Sequence, residues 1–302
     1  MDRLEDLLQK TSRTFALSIP VLPEPTRGEV MIAYLLFRIA DTFEDAAHWP
    51  AARRIEALGE FEKLLTDYSR PQAERLEKKW TATDPAQHPG YRELIAHVPF
   101  VLECFFSLDP EAISSVRGHV IRSARGMADF VRRSHAGALV LNSLQELKDY
   151  CYAVAGIVGE MLTDLFLLKR SGLSPVASEL RGRAACFGEA LQLVNILKDS
   201  SDDTAEGRNF LPRSIPRAEI FALARQDLRI AGEYTSALQT AGAPRGIIEF
   251  CALPAELAWA TLEKVEAKGP GSKISRAEVF AIKSRIDRAL KKNEPAVRPR
   301  PA

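Results

Sequence analysis

Cysteine is scarce in this chain, with four in 302 residues, at Cys104, Cys151, Cys186 and Cys251. They are too few and too scattered for a disulfide scaffold, and none has the paired spacing of a metal site. They read as buried thiols of a reducing compartment. Net charge is lacking too: at +1 it supplies no global field to gather nucleic acid or an acidic partner. No apolar run reaches the ~18–20 residues that span a bilayer. The opening MDRLEDLLQKTSRTF is charged throughout, without the apolar centre of a secretory leader. There is no glycine fingerprint of a dinucleotide-binding fold. His48, His88, His97, His119 and His135 have no ligand spacing. Alternating strand patterns and Asn-Gly hairpin signals are missing as well.

What remains is helical periodicity along nearly the whole chain. Helices are predicted over 28–47, 51–68, 90–107, 111–133, 144–169, 177–202, 221–240, 244–267 and 275–291, with ends good to about 2–4 residues. Pro20, Pro23 and Pro25 precede the first, and TATDPAQHPG and EGRNFLPRSIP read as loops. The closing NEPAVRPRPA has the composition of a disordered tail. With no repeat and no linker, the expectation is an all-α chain, one domain over 1–290 followed by a disordered 291–302.

Two helices end in clustered carboxylates. In RIADTFED, Asp41 and Asp45 are four residues apart with Glu44 between them, so all three share one helix face. In NILKDSSDD, Asp199 and Asp203 repeat that spacing, with Asp202 beside the second and Asn195 one turn earlier. Like charges so placed repel, and an isolated helix gains nothing from them. Both clusters follow strongly apolar stretches, YLLFRIA and FGEALQLVNIL, which suggests a shared electronegative mouth above a buried body. Oxygen-only clusters suit hard cations: magnesium takes one or two carboxylates, keeps waters and completes its shell with phosphate oxygens. The plainer alternative is a pair of solvated helix ends.

Four segments in order resemble the squalene/phytoene synthase family, most closely its squalene synthase members: SRTFALSIPVLP, AYLLFRIADTFED, YCYAVAGIVGEM and LQLVNILKDSSDDTAEGRNFLP. The likeness runs from about Ser12 to Ile286. It implies an all-α, single-domain isoprenoid-synthase-type bundle around a central apolar cavity. It implies magnesium held by Asp41, Glu44 and Asp45 and by Asn195, Asp199 and Asp203. Ser12, Arg13 and Arg38 would then contact the diphosphate, and Phe15, Val154, Gly159, Leu162, Gln192, Asn195, Lys198 and Arg208 would complete the substrate-binding set, Gln192 and Asn195 on the face of the second acidic cluster. Lys198 stands where the family more often has Arg, keeping the charge and losing the bidentate fork. Tyr150 matches a tyrosine near the reacting carbons, and Phe210 joins Arg208 in a closing flap. Other readings stay open at several of these positions. Arg38 pairs with Asp41 or Glu44, which is compatible with phosphate binding. Tyr150 is a reacting-site or a core aromatic, and Tyr152 a core aromatic. Phe15 is core or pocket wall. Gly156 and Gly159 permit close helix packing or leave room for a prenyl chain.

The implied reaction joins two farnesyl diphosphates head to head through a cyclopropylcarbinyl diphosphate, then reduces the second cation to squalene with NADPH. DTFED and FCALPAELAWATLEKV (250–265) tilt the reading toward squalene. The alternative is a phytoene or dehydrosqualene synthase that loses a proton and needs no reductant, and a non-enzymatic alternative is an assembly factor of the same fold. The expected partners are prenyl diphosphates and no nucleic acid. The basic residues Lys283, Arg285, Arg288, Lys291 and Lys292 suggest peripheral contact with an anionic membrane, from the cytoplasmic face of the inner membrane in a bacterial-type protein.

Overall fold

The computed structural model describes residues 2–12, 14–134, 139–205 and 208–300, leaving aside the side chains of Asp2 and of 202–205. Among these residues there are fourteen α-helices and no strand, only an isolated parallel bridge between Val140 and Asn209. In chain order the helices are α1 (Asp2–Thr11), α2 (Phe15–Ser18), α3 (Thr26–Glu44), α4 (Ala51–Thr66), α5 (Arg70–Thr81), α6 (Pro89–Ala96), α7 (Val98–Phe106) and α8 (Pro110–Arg133). They continue as α9 (Leu144–Cys151), α10 (Ile157–Leu167), α11 (Ala177–Ala205), α12 (Arg217–Thr240), α13 (Arg245–Lys268) and α14 (Arg276–Lys291). The chain divides into two compact units, one of Met1–Pro20 with Glu24–Leu139 and one of Val21–Pro23 with Val140–Ala302.

The first unit is organised around α3, which packs against α1, α4, α6, α7 and α8. Apolar residues surround this helix on all sides, the pattern of a core element, and Val30 to Ala33, Leu35 to Phe37, Ile39, Ala40 and Phe43 are all buried. Phe43 anchors an aromatic cluster, 4.8 Å from Trp80 and stacked 6.1 Å from Trp49. Arg54 Nη1 donates to the Glu44 carbonyl at 2.8 Å, satisfying a last-turn acceptor that the helix leaves open. The expected helix over 90–107 is two helices broken at His97. Pro99 explains the break, because it has no N–H to bond the Ile95 carbonyl and its ring crowds the preceding turn, so it is tolerated only in the first turn of a new helix, α7. Helices α1 and α5 lie outside the predicted set. Each buries only a thin stripe, Leu4, Leu7 and Leu8 in one and Ala73, Leu76 and Trp80 in the other.

The second unit is built on α11, which packs against α9, α10, α12 and α13. The stretch expected as one helix over 144–169 is α9, a π-helical turn at Tyr152–Gly156, then α10. By length and composition Leu144–Leu167 could cross a bilayer, yet 61% of its apolar window is buried inside the protein, which makes it a core element. Its backbone meets that of α11 at unusually short range. A Cβ on Gly159 would lie 2.0 Å from the Ala184 carbonyl oxygen, and one on Gly188 would lie 1.9 Å from that of Ala155. Only glycine fits at either position.

The structure differs from the expected disordered 291–302 segment. Residues 294–300 lie on the second unit, with Ala296 and Val297 buried. The Ala296 amide donates to Gln239 Oε1 at 2.9 Å and the Arg298 amide to Glu256 Oε1 at 2.9 Å. Glu256, 4% exposed, is neutralised by Arg285 at 2.9 Å and faces Arg300 at 3.8 Å. Arg300 also stacks 4.9 Å from the Trp259 ring. Composition pointed to disorder; one buried carboxylate and two backbone hydrogen bonds outweigh it. The cysteines divide as well: Cys151 and Cys251 are buried, Cys104 and Cys186 only half-buried, and all four are free.

Because the α10–α11 crossing leaves no room for a methyl group, Gly188→Ala should destabilise the protein by about 1–3 kcal/mol, the usual cost of overpacking. Urea unfolding measures this; an unchanged midpoint would mean that the two backbones separate freely.

Candidate functional site

In the first unit the site residues grow out of the last two turns of α3. Arg38 Nη1 lies 3.3 Å from Asp41 Oδ2, an ion pair one turn apart in which each side chain is about a quarter exposed, 26% and 27%. Tyr34 and Tyr91 flank the guanidinium, their ring centres 5.7 and 5.4 Å away. Tyr34 is itself fixed by donating to the Thr11 carbonyl at 2.8 Å and by Phe15, 5.5 Å off. The Ser12 hydroxyl accepts from the Phe15 amide at 2.9 Å, starting α2. Burial works against charge on Arg38, but Asp41 and the two tyrosines outweigh it, so the guanidinium is held firmly charged. Burial pushes the Asp41 carboxyl up to about 6; Arg38 pulls against this and Asp45 adds to it. Asp45 is exposed at the helix end, whereas Glu44 is buried. Arg38 Nε is buried with no hydrogen-bond partner among the described residues. Arg13 lies outside the described residues.

In the second unit α11 carries the other cluster. Lys198 Nζ bonds Asn195 Oδ1 at 3.2 Å and pairs with Asp199 Oδ2 at 3.1 Å. The Gly271 amide donates to the Lys198 carbonyl at 2.7 Å, tying the loop before α14 to this turn. Gln192, one turn earlier, is half-buried. Asp203 lies within α11, its side chain outside the described residues. Arg217 Nη2 donates to the Leu197 carbonyl at 3.1 Å. Beside it is a recess of about 250 Å3 lined by Ile196, Ser200, Arg208, Phe210 and Arg217. Tyr150 is buried and stacks on Phe210 at 4.7 Å, and the Leu141 amide donates to the Asn209 carbonyl at 3.0 Å. The loop after α11 is thus pinned at Asn209 and Phe210. Val154 is half-buried in the π-helical turn and Leu162 is buried in α10. At Gly159 the short approach to Ala184 is enough to require glycine.

The sequence reading missed several residues. Tyr34 carried a signal, being four residues before Arg38 on the same face. Tyr91 carried none, because only the fold brings α6 to α3. A third acidic group also went unnoticed. Burial first, then Asp227, Glu160 and Asp149, push the Glu189 carboxyl up to about 7, with Lys148 opposing. Burial likewise pushes Asp227 up to about 6, and again Lys148 opposes. Glu189 sits against the π-helical turn, 2.9 Å from where a Cβ on Gly156 would be.

Either cluster can hold a hard cation in part. Among the described residues no three His, Cys, Asp or Glu side chains converge on one point. Carboxylates offered in ones and twos are what magnesium uses when water and substrate oxygens complete its shell.

Comparison with known proteins places these features in context. The family model described as squalene/phytoene synthase matches residues 8–279. Squalene synthase ERG9 of Candida albicans is 30% identical over 215 residues, 71% of this chain and 46% of the relative. Squalene synthase BSS of Botryococcus braunii is 34% identical over 214 residues, 70% of this chain and 42% of the relative. Squalene synthase of Eremothecium gossypii is 28% identical over 283 residues, 88% and 62%. The chain spans roughly half the length of these curated relatives. Among solved structures, TcSQS with the ligand E5700 superposes with a TM-score of 0.76 at 26% identity, covering 96% of this chain and 87% of that one. A dehydrosqualene synthase complex has the same fold, with a TM-score of 0.64 at 21% identity and 96% of each chain covered.

The raised acids give a pH prediction. Groups whose folded values lie near 6 and 7, above their ordinary 3.8 and 4.5, bind protons more tightly in the folded state. Stability therefore falls as pH rises from about 4 through 7. Glu189→Gln should raise the melting temperature at pH 8 by about 2–4 °C, the scale of 1 kcal/mol in a chain this size, and flatten the decline between pH 5 and 8. Melting curves with the same slope as wild type would contradict the strain assigned to this group.

Proposed function

The chain belongs to the squalene/phytoene synthase family, and from that premise we propose that it condenses two farnesyl diphosphates head to head to squalene, consuming NADPH. The observation that carries the reading is the buried, unpartnered Nε of Arg38 beside a raised Asp41 carboxyl. A donor so placed suits phosphate oxygen, and a carboxylate so placed suits a cation. In the proposed reaction one farnesyl diphosphate loses pyrophosphate, and its allylic carbon bonds to the double bond of the other. A proton leaves to close the cyclopropylcarbinyl diphosphate. Loss of the second pyrophosphate and gain of hydride give the linear hydrocarbon.

Asp41 and Asp45 on α3, with Glu44, and Asn195, Asp199 and Asp203 on α11 would hold magnesium. The oxygen-only donor set fits that ion. Bound there, magnesium neutralises charge developing on the departing pyrophosphate. The rest falls to the chain's own side chains. Arg38, kept charged between Tyr34 and Tyr91, grips a diphosphate through its free donors. In the same unit Ser12 and Arg13 add to that grip; in the second unit Lys198 and Arg208 bind diphosphate and Gln192 orients the substrate. The Tyr150 hydroxyl orients pyrophosphate or takes up the proton. Phe15 in the first unit, and Val154, Gly159 and Leu162 in the second, serve to keep water from a prenyl cation. For NADPH the described residues offer no glycine-rich cradle, so hydride quenching rests on the family. The setting proposed is the cytoplasm, at the inner membrane face.

Asp41→Asn and Asp199→Asn should each cut turnover at least ~100-fold, the scale of losing a main electrostatic group, with folding intact by circular dichroism. Near-normal turnover in either would remove the metal assignment. Purified protein given farnesyl diphosphate and magnesium should release squalene with NADPH, and dehydrosqualene or the cyclopropyl intermediate without it. One hydrocarbon at one rate in both conditions would replace squalene synthesis with the reductant-free reaction.

A further inference from the structure

The most exposed large apolar side chain among the described residues is Phe280, 73% exposed on α14. Helix α14 seats itself through Ile286 and Ala289, both buried. Phe280 points away from that seat, and nothing in the helix's own packing calls for an aromatic ring there. Its surroundings carry charge of one sign. On the helix, Arg276 and Lys283 are four residues before it and three after it, on the same face. Lys273 precedes them in the loop that leads into α14. None of these three cations makes an ion pair among the described residues.

The nearby acids are engaged elsewhere. Glu278 closes the capping box at Ser275 and pairs with Lys264 at 2.8 Å. Asp287 pairs with Lys291 at 2.8 Å and with Arg245. The unneutralised charge around the ring is therefore positive. The basic set picked out in the sequence is thereby rearranged. Arg285 turns inward onto Glu256, and Lys291, though exposed, has its charge answered by Asp287. Lys273, Arg276 and Lys283 flank the ring at the start of α14, while Arg288 and Lys292 are exposed without an ion pair among the described residues at its far end.

We infer that this face docks on an anionic lipid surface, with Phe280 inserted among the acyl chains and Lys273, Arg276 and Lys283 on the headgroups. An aromatic ring ringed by cations fits an interface that is apolar below and negative above. A neutral bilayer would leave the three cations unanswered. The inference gives a contact residue to the membrane setting proposed above. It would also bring a farnesyl-consuming protein to the phase in which prenyl chains and hydrocarbon dissolve.

The test uses the full chain and vesicles of phosphatidylcholine with and without phosphatidylglycerol, in the absence of substrate. Sedimentation should carry the protein down with the anionic vesicles only, and less so as salt rises past the range where screening is strong. Phe280→Ser should weaken that binding about tenfold, and the triple variant K273Q/R276Q/K283Q at least as much. Phe280→Trp should show blue-shifted emission over wild type when anionic vesicles are added. Absence of binding, equal binding to neutral vesicles, or binding untouched by Phe280→Ser would overturn the inference. So would self-association abolished by Phe280→Ser without vesicle binding, which would assign the face to a second copy of the chain. Because no substrate is present, failure here leaves the squalene reaction to its own product assay.

Discussion

Charge inside an apolar helix is costly unless paired, and α3 carries Arg38 and Asp41 in its last two turns. The two answer each other at 3.3 Å, yet the pair does not close on itself. Asp41 remains pushed up by burial, and Arg38 keeps a buried donor unused. The surrounding structure maintains that tension. Tyr34 and Tyr91 fix the guanidinium plane, Tyr34 is tied to the Thr11 carbonyl, and α3 is packed on all sides so that its end cannot relax. Under the proposed function, such an arrangement gives up some stability in the free protein and recovers it when diphosphate and its metal ion bind.

The second unit meets its requirement differently. Its carboxylates end the longest helix, and glycine contacts set the position of that helix. Gly188 against Ala155 and Gly159 against Ala184 bring two backbones into contact, so α11 cannot slide along α10 without a clash. The register fixed there is carried along α11 to Asn195, Lys198 and Asp199. Downstream, the loop is pinned by Asn209 and Phe210. A charged cluster is positioned by contacts that carry no charge, roughly two to four turns away.

Much of this was legible in the sequence. The nine predicted helices correspond to observed helical segments because their apolar faces are wide, and the two carboxylate clusters announced themselves as like charges at helical spacing after apolar runs. The misreadings have particular causes. Helices α1 and α5 bury stripes of three residues, too narrow to register against their polar faces. The break at His97 depends on Pro99, which a periodicity count passes over. The tail was misjudged because composition does not reveal that Glu256, far off in sequence, needs Arg285 and Arg300. Tyr91 could not be found at all, since only the packing of α6 on α3 brings it to Arg38. At Gly159 the sequence left two readings open; the contact with Ala184 requires glycine there whatever the prenyl chain does.

The central claim is that the Arg38–Asp41 pair is held open for a diphosphate and a divalent cation. Calorimetric titration with inorganic pyrophosphate, with and without magnesium, addresses it most directly. The account predicts binding that strengthens markedly when magnesium is present and weakens about tenfold in Arg38→Lys, which keeps the charge and loses the fork. Binding indifferent to magnesium, or equal in Arg38→Lys and wild type, would contradict it.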